Sequence, residues 1–196
     1  MEKKILFEND DFFVIDKSFG VLSEDLIGEY GIPRLTHRLD KDTSGVMVLG
    51  KSEIEIDKLQ KLFKSRNVKK VYLALVHGRT PSSGVIRASI GRSKGLKRGI
   101  DLFGRKAVTR YKVKKYFKDF SLLECYPETG RTHQVRVHLK SIGHPVAGDK
   151  FYKFKRQKNP LGLERQFLHA LLIEFLDFKF EVELAKDLQN VLDKLE

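Results

Sequence analysis

The sequence predicts an α+β fold built on a mixed, largely antiparallel sheet flanked by helices and loops. Short apolar runs of strand length recur along the chain, some segments place apolar residues at helical spacing, and the two do not alternate in a regular βαβ rhythm. The 196 residues, 41% hydrophobic and 33% charged, are enough to bury a real core as one domain.

The first three strands are read from Phe12-Phe-Val-Ile-Asp16, Gly45-Val-Met-Val-Leu49 and Val71-Tyr-Leu-Ala-Leu-Val76, each bounded by polar residues or glycine. Between the second and third, Ser52 and Glu55 form an S-x-x-E capping box, and Ile56, Leu59, Leu62 and Phe63 follow at helical spacing. Further on, Thr109, Tyr111 and Val113 alternate with Arg110, Lys112 and Lys114, the period of a strand with one wet face. Phe120–Tyr126 is its expected hairpin partner across Lys118-Asp119. The run Arg131–Ile142 fits both periods, and Gly143 followed by Pro145 decides for a helix, with Thr132 as its cap. Leu168–Phe180 reads as one or two strands, and Leu184, Leu188, Val191, Leu192 and Leu195 mark a closing amphipathic helix.

Segment Gly91–Lys106 holds four glycines, six basic residues and one acid. Glycine gives backbone freedom and little to pack, so a mobile cationic loop within the domain is expected. It belongs to a wider imbalance: 38 Lys and Arg against 26 Asp and Glu leave +12. Such an excess speaks of anionic partners. Two other groups add to it, Lys61, Lys64, Arg66, Lys69 and Lys70, and then Lys150, Lys153, Lys155, Arg156 and Lys158 interleaved with Phe151, Tyr152 and Phe154. Three such groups together with the net excess favour a track for an anionic partner over a merely solvated face, and composition alone allows DNA, RNA or an acidic membrane surface.

Several chemistries are disfavoured. The single cysteine, Cys125, lies in an apolar run and reads as a buried thiol of a reducing compartment. The N-terminus is acidic by its eighth residue and has no long apolar stretch, so no signal peptide is expected and the location is read as cytoplasmic. No segment approaches the ~18 apolar residues of a membrane span. There is no P-loop and no HExxH, and a lone cysteine precludes a CxxC zinc site. The six histidines lack metal-ligand spacing and are expected to be ordinary hydrogen-bonding groups, so no metal is predicted.

Two segments are dense in reactive groups. Arg34–Gly45 ends in Thr-Ser-Gly just before an apolar strand and carries Asp40; a loop entering a rigid strand is a common mount for a catalytic side chain, and Asp40 reads equally as a solvated acid or a loop cap. Pro127–Leu139, continuing through Gly143–Asp149, carries Arg131 and Arg136 at the start of a helix. Cations there oppose the helix dipole, which calls for anionic partners, carboxylate or phosphate.

His37-Arg-Leu-Asp40 with Thr43-Ser-Gly45, together with Gly130-Arg-Thr-His-Gln-Val-Arg-Val-His-Leu139 and Gly143-His-Pro-Val-Ala-Gly-Asp149, resembles the RluA-type family of RNA pseudouridine synthases. Asn9–Lys17 with Gly20, Lys70–Val76 and Leu168-His-Ala170 extend the likeness over nearly the whole chain. The resemblance implies one catalytic domain over residues 1–196, without the small N-terminal RNA-binding domain that many relatives carry. It implies isomerisation of uridine in ribosomal or transfer RNA, with no cofactor and no obligatory protein partner. Asp40 is then the catalytic carboxylate and Arg131 its pairing arginine. Tyr72 packs beside the uracil, Val135 walls the pocket, and Arg38 helps displace the flipped base. Lys94, Lys97 and Arg98 of the glycine-rich loop are expected to hold the RNA backbone. Ser18 stands where the family usually has proline, and Glu183–Leu188 lacks the customary prolines; both departures bear on local loop geometry. Whether Asp40 attacks the ribose, attacks the base or removes a ribose proton is open at this level.

Overall fold

The structure, a computed structural model, describes residues 4–93, 97–155, 157, 159 and 162–195. In chain order the elements are β1 (Ile5–Glu8), β2 (Phe12–Lys17), α1 (Asp25–Tyr30), β3 (Ser44–Gly50), α2 (Glu53–Lys64), β4 (Val68–His77) and β5 (Ser83–Arg87). There follow β6 (Ile90–Arg92), β7 (Arg98–Ile100), β8 (Val108–Tyr116), β9 (Phe120–Pro127), α3 (Gln134–Ser141), β10 (Leu168–Phe175), β11 (Phe178–Glu181) and α4 (Lys186–Asp193). The chain divides into two compact units, Met1–Lys70 with His169–Ala185, and Val71–Leu168 with Lys186–Glu196.

In the first unit β2 lies antiparallel between β1 and β3. On its other side β3 takes β10 as a parallel neighbour, through His169↔Ser44 and Ala170↔Gly45, and β11 folds back antiparallel on β10. Every residue of β3 is buried, which explains why it reads as an unbroken apolar run rather than an alternation. Helix α2 starts where the capping box predicts: the Ser52 hydroxyl accepts the Glu55 N–H at 3.3 Å. Glu53 and Glu55 occupy its first turn, Lys61 and Lys64 its last, both matched to the helix dipole. Its apolar stripe buries Ile56 and Leu59.

In the second unit β9 pairs antiparallel with β4 on one side and β8 on the other, and β5 completes the row beside β8. Leu75, Val76, Leu123, Cys125, Leu139 and Phe167 are fully enclosed. Burial pushes the Cys125 thiol well above its ordinary value, which leaves it protonated and unreactive. Among the pairings described within each unit, only β3 with β10 is parallel, in keeping with the α+β expectation.

Three expectations need correction. Segment Gly91–Lys106 is not simply an irregular loop, because β6 and β7 form an antiparallel hairpin inside it with Gly91↔Gly99 and Arg92↔Arg98 paired. Two of its glycines serve close packing: a Cβ on Gly91 would lie 2.0 Å from the Asp101 carboxylate, and one on Gly104 only 2.5 Å from the Ile90 backbone. Helix α3 is capped not by Thr132 but by His133, which sits in the left-handed region at φ 57° and makes no side-chain cap. The Gln134 side chain reaches back instead to the turn before the helix, accepting the Arg131 N–H at 3.0 Å. Finally β1, α1 and β5 form where no element was predicted.

Candidate active site

Asp40 lies in the first unit, on the irregular segment between α1 and β3, and is half-buried. Nearly every residue around it is tethered. Arg34 pairs with Glu53 and Asp57 of α2, both at 2.6 Å, and the Leu35 carbonyl accepts from Gln60 at 3.1 Å. Thr36 and His37 accept backbone N–H groups of β3, from Gly50 at 3.0 Å and Val48 at 2.9 Å. These two side chains satisfy donors that a further strand would otherwise take. The Ser23 hydroxyl clamps Leu39 from both ends, accepting its N–H at 3.1 Å and donating to its carbonyl at 2.8 Å.

Beyond Asp40 the backbone closes a turn, Thr43 N–H to the Asp40 carbonyl at 3.0 Å. The Lys41 carbonyl accepts from the Gly20 N–H at 2.9 Å and from the Lys17 ammonium at 3.2 Å. Lys17 is 2% exposed and also donates to the carbonyls of Ser18 and Val21, each at 2.9 Å. Three backbone oxygens in one low-dielectric place thus hold a buried cation and are themselves satisfied by it.

The strand after the loop depends on one glycine. Gly45 has φ 119°, and a Cβ there would lie 2.2 Å from the Ala170 carbonyl oxygen. Beside it the Ser44 hydroxyl and His169 Nδ1 are 2.8 Å apart, both buried. The Thr-Ser-Gly and Leu-His-Ala motifs are therefore the two sides of the parallel β3–β10 contact.

His37 is stacked on Phe63 at 4.6 Å between ring centroids, and the Lys70 ammonium stands over that same Phe63 ring at 5.9 Å. Burial first, and the Lys70 charge second, push the His37 imidazole down to about 3. A neutral ring keeps the Nε2 lone pair that the Val48 N–H needs. Burial likewise lowers Lys70 to about 8. Arg38, in contrast, is exposed and pairs with Glu24 at 2.9 Å, with side chains 57% and 48% exposed. An exposed pair is worth roughly 0–1 kcal/mol, so its guanidinium is readily redirected to another anion.

Arg131, Tyr72 and Val135 belong to the second unit. Arg131 precedes α3, and its Nε donates to the Lys106 carbonyl at 3.2 Å. Gln134, 4% exposed, organises this turn. Its Oε1 accepts from the Thr129 hydroxyl at 2.6 Å and from the Arg131 N–H. Its Nε2 donates to the Val108 carbonyl at 2.9 Å and to Thr109 Oγ1 at 3.0 Å. Tyr72 lies on β4 opposite Cys125 and is half-buried rather than core. Val135 is 6% exposed.

The anionic partner anticipated for Arg136 is a carboxylate of the same unit. Its guanidinium forks onto Asp149, Nε to Oδ2 at 2.7 Å and Nη2 to Oδ1 at 3.0 Å, with both side chains buried. Asp149 also accepts the N–H groups of Phe151 and Tyr152. The Tyr152 hydroxyl lies 2.7 Å from His133 Nδ1 and accepts the Arg98 N–H at 2.9 Å. One buried tyrosine thus ties the turn before α3 to the basic hairpin. Sequence reasoning missed Lys17, Ser23 and Gln134 as organisers; a lysine ending an apolar strand was the available signal for the first.

Of the predicted RNA-holding cations, Arg98 is half-buried on β7 and Lys97 exposed just before it. Lys94 lies outside the described residues, as do Arg156 and Lys158 of the aromatic-basic segment. His138 bonds to Thr109 and the Ala88 carbonyl, and His144 to the His77 carbonyl, in keeping with hydrogen-bonding roles. Among the described residues no group of three or more His, Cys, Asp or Glu is arranged to hold a metal ion.

Residues 7–141 match the RNA pseudouridylate synthase family. The chain belongs to this family. Its RluA-type motifs are those on which the Asp40 and Arg131 turns are built. The chain is 41% identical over 172 residues to an RNA pseudouridine synthase of Chloroflexus aurantiacus, covering 84% of this chain and 54% of that protein. It is 39% identical over 198 residues to the ribosomal large subunit pseudouridine synthase D of Nitrosomonas europaea, covering 87% of this chain and 57% of the relative. It thus spans little more than half the length of these two curated relatives. Among solved structures, the human RNA pseudouridylate synthase domain-containing protein 4 superposes with a TM-score of 0.82 at 29% identity, covering 98% of this chain and 92% of that one. The α+β pseudouridine synthase fold is therefore shared across the chain. Among the described residues no helix is long and apolar enough to cross a membrane.

Proposed function

We propose that this chain isomerises uridine to pseudouridine in ribosomal or transfer RNA, with residues 1–196 acting as one cytoplasmic catalytic domain and Asp40 as the reacting carboxylate. The observation that carries the reading is the fixation of the backbone on both sides of Asp40: Leu39 is clamped by Ser23, and Lys41 is held by Lys17 and Gly20. A carboxylate that must act on a flipped nucleotide needs this kind of prior positioning, since small misplacements are costly in rate.

The reaction breaks the bond between ribose and uracil nitrogen and rejoins the base through carbon 5, so no redox partner or group donor is required. Water must be kept from the ribose, because its attack would release the base; a single carboxylate in a closed pocket suits this better than the paired carboxylates of glycoside hydrolysis. A stacked uridine must first be extruded, at a cost of a few kcal/mol that is least in an unpaired loop. Arg38 takes the place of the displaced base, Tyr72 packs on the uracil, and Val135 walls the pocket. The Arg131 fork orients the Asp40 carboxylate. Lys94, Lys97 and Arg98 hold phosphates.

Asp40→Asn tests this reading. The variant is expected to bind RNA as tightly as the unmodified protein and to make no pseudouridine, mapped as alkali-resistant carbodiimide adducts on incubated cellular RNA. Multiple-turnover product from a sequence-verified Asp40→Asn protein would overturn it.

A further inference from the structure

Two large apolar side chains stand almost wholly in water beside the basic hairpin: Leu102 is 92% exposed and Phe103 98%. They do not sit on a slack segment. The Asp101 N–H donates to the Ser89 carbonyl, and the Gly104 N–H to the Asp101 carbonyl, each at 2.9 Å. The Asp101 carboxylate accepts the Phe103 N–H at 2.9 Å. Ile90 and Arg105 then exchange both backbone hydrogen bonds at 2.9 and 3.0 Å, and Gly104 must lack a side chain to pass the Ile90 backbone. These bonds hold the turn in place, with both side chains left in water.

Burial would favour both side chains, so a fold that commits backbone bonds to displaying them points to a partner. The surroundings select its chemistry. Arg92, Lys97, Arg98, Arg105 and Lys106 flank the turn in sequence, and the one acid among them, Asp101, is engaged within it. Cations around an exposed aromatic match a single-stranded nucleic acid, whose phosphates meet the cations and whose bases have flat apolar faces.

We propose that the Leu102–Phe103 turn is a stacking platform for an unpaired base of the RNA substrate, with Phe103 against the base and Leu102 against its edge. This rests on the proposed RNA reading and adds to it a contact that is apolar and sequence-tolerant, outside the residues assigned to the reaction.

The chain contains no tryptophan, so Phe103→Trp introduces a single fluorescent indole at the platform. The probes are a stem-loop RNA with an unpaired loop and the fully paired duplex of equal length. The expected result is that the stem-loop quenches the indole emission of the Phe103→Trp protein and the duplex does not. Phe103→Ala is expected to bind the stem-loop roughly tenfold more weakly, with the slope of log affinity against log salt unchanged, since stacking releases no counterions. Wild-type affinity in Phe103→Ala, or unquenched emission from a Phe103→Trp protein that binds the stem-loop, overturns the platform while leaving the RNA reading intact. Absence of stem-loop binding by the unmodified protein overturns both. A dimer of the unmodified protein that dissociates on Phe103→Ala in sedimentation assigns the turn to self-association and overturns the proposal.

Discussion

The buried ammonium of Lys17 reaches the carbonyl of Lys41, the residue after Asp40, at 3.2 Å. The same ammonium is bonded to the carbonyls of Ser18 and Val21, so one side chain joins the end of β2 to the turn that carries the carboxylate.

Lys17→Met keeps the apolar stem and removes the donor that the Ser18 and Val21 carbonyls share, while the Lys41 carbonyl keeps only the Gly20 N–H. We expect a loss of about 2–4 kcal/mol in urea-induced unfolding. Pseudouridine formation should fall in kcat more than in KM, because the change lies beneath the turn and not at a nucleic-acid contact. A variant with unchanged kcat would show that the turn keeps its place without Lys17.

The buried imidazole of His37 makes stability depend on pH. Its folded value of about 3 lies below the ordinary 6.5, so between these limits the unfolded chain takes up a proton that the folded protein refuses. Stability therefore falls as pH falls from about 6.5 toward 3, by about 1.4 kcal/mol per pH unit from this group alone. His37→Gln retains an acceptor for the Val48 N–H and does not titrate. Urea titrations across this range should show a shallower decline for His37→Gln than for the parent, and parallel curves would contradict the assignment.

At Gly45 a methyl group has no room. Gly45→Ala combines a positive φ with a Cβ placed 2.2 Å from the Ala170 oxygen, so the parallel β3–β10 contact must open. The expected cost is about 3 kcal/mol or more, read as a lowered denaturation midpoint. Gly130→Ala is the control, since a Cβ there meets nothing within 4 Å.

Gln134 both donates and accepts through its amide. In Gln134→Glu an oxygen replaces the nitrogen that now faces the Val108 carbonyl at 2.9 Å. The repulsion is expected to cost about 2 kcal/mol and to loosen the Arg131 turn. Thermal unfolding checks the first effect, and single-turnover pseudouridine formation checks the second.

What the sequence revealed follows physical lines. Strands β2, β3 and β4, the β8–β9 hairpin and α2 declare themselves because each buries an apolar run or face, and α2 carries its own cap. Strand β1 is largely exposed and α1 buries only Leu26, so neither leaves a pattern. Strands β6 and β7 are three residues each and rich in glycine and arginine; their order comes from paired backbones and from the distant Tyr152 hydroxyl. The cap of α3 is not legible because a left-handed His133, with no side-chain cap, stands at its start. The reactive segments stood out by composition and by family likeness. The supporting roles of Lys17, Ser23 and His169 did not, since each meets these segments only through long-range contacts.

The parallel seam between β3 and β10 also sets an order of events. Ser44 and His169 are separated by 125 positions, and the stretch between them is mostly a unit of its own. During synthesis from the N-terminus, the strand that follows Asp40 waits for its neighbour until Ala170 has emerged. A nascent chain halted before that point carries every residue of the HRLD motif and still lacks the strand against which Ser44 and Gly45 pair. The first unit is thus begun first and closed late, and non-local pairing of this kind makes for slow folding.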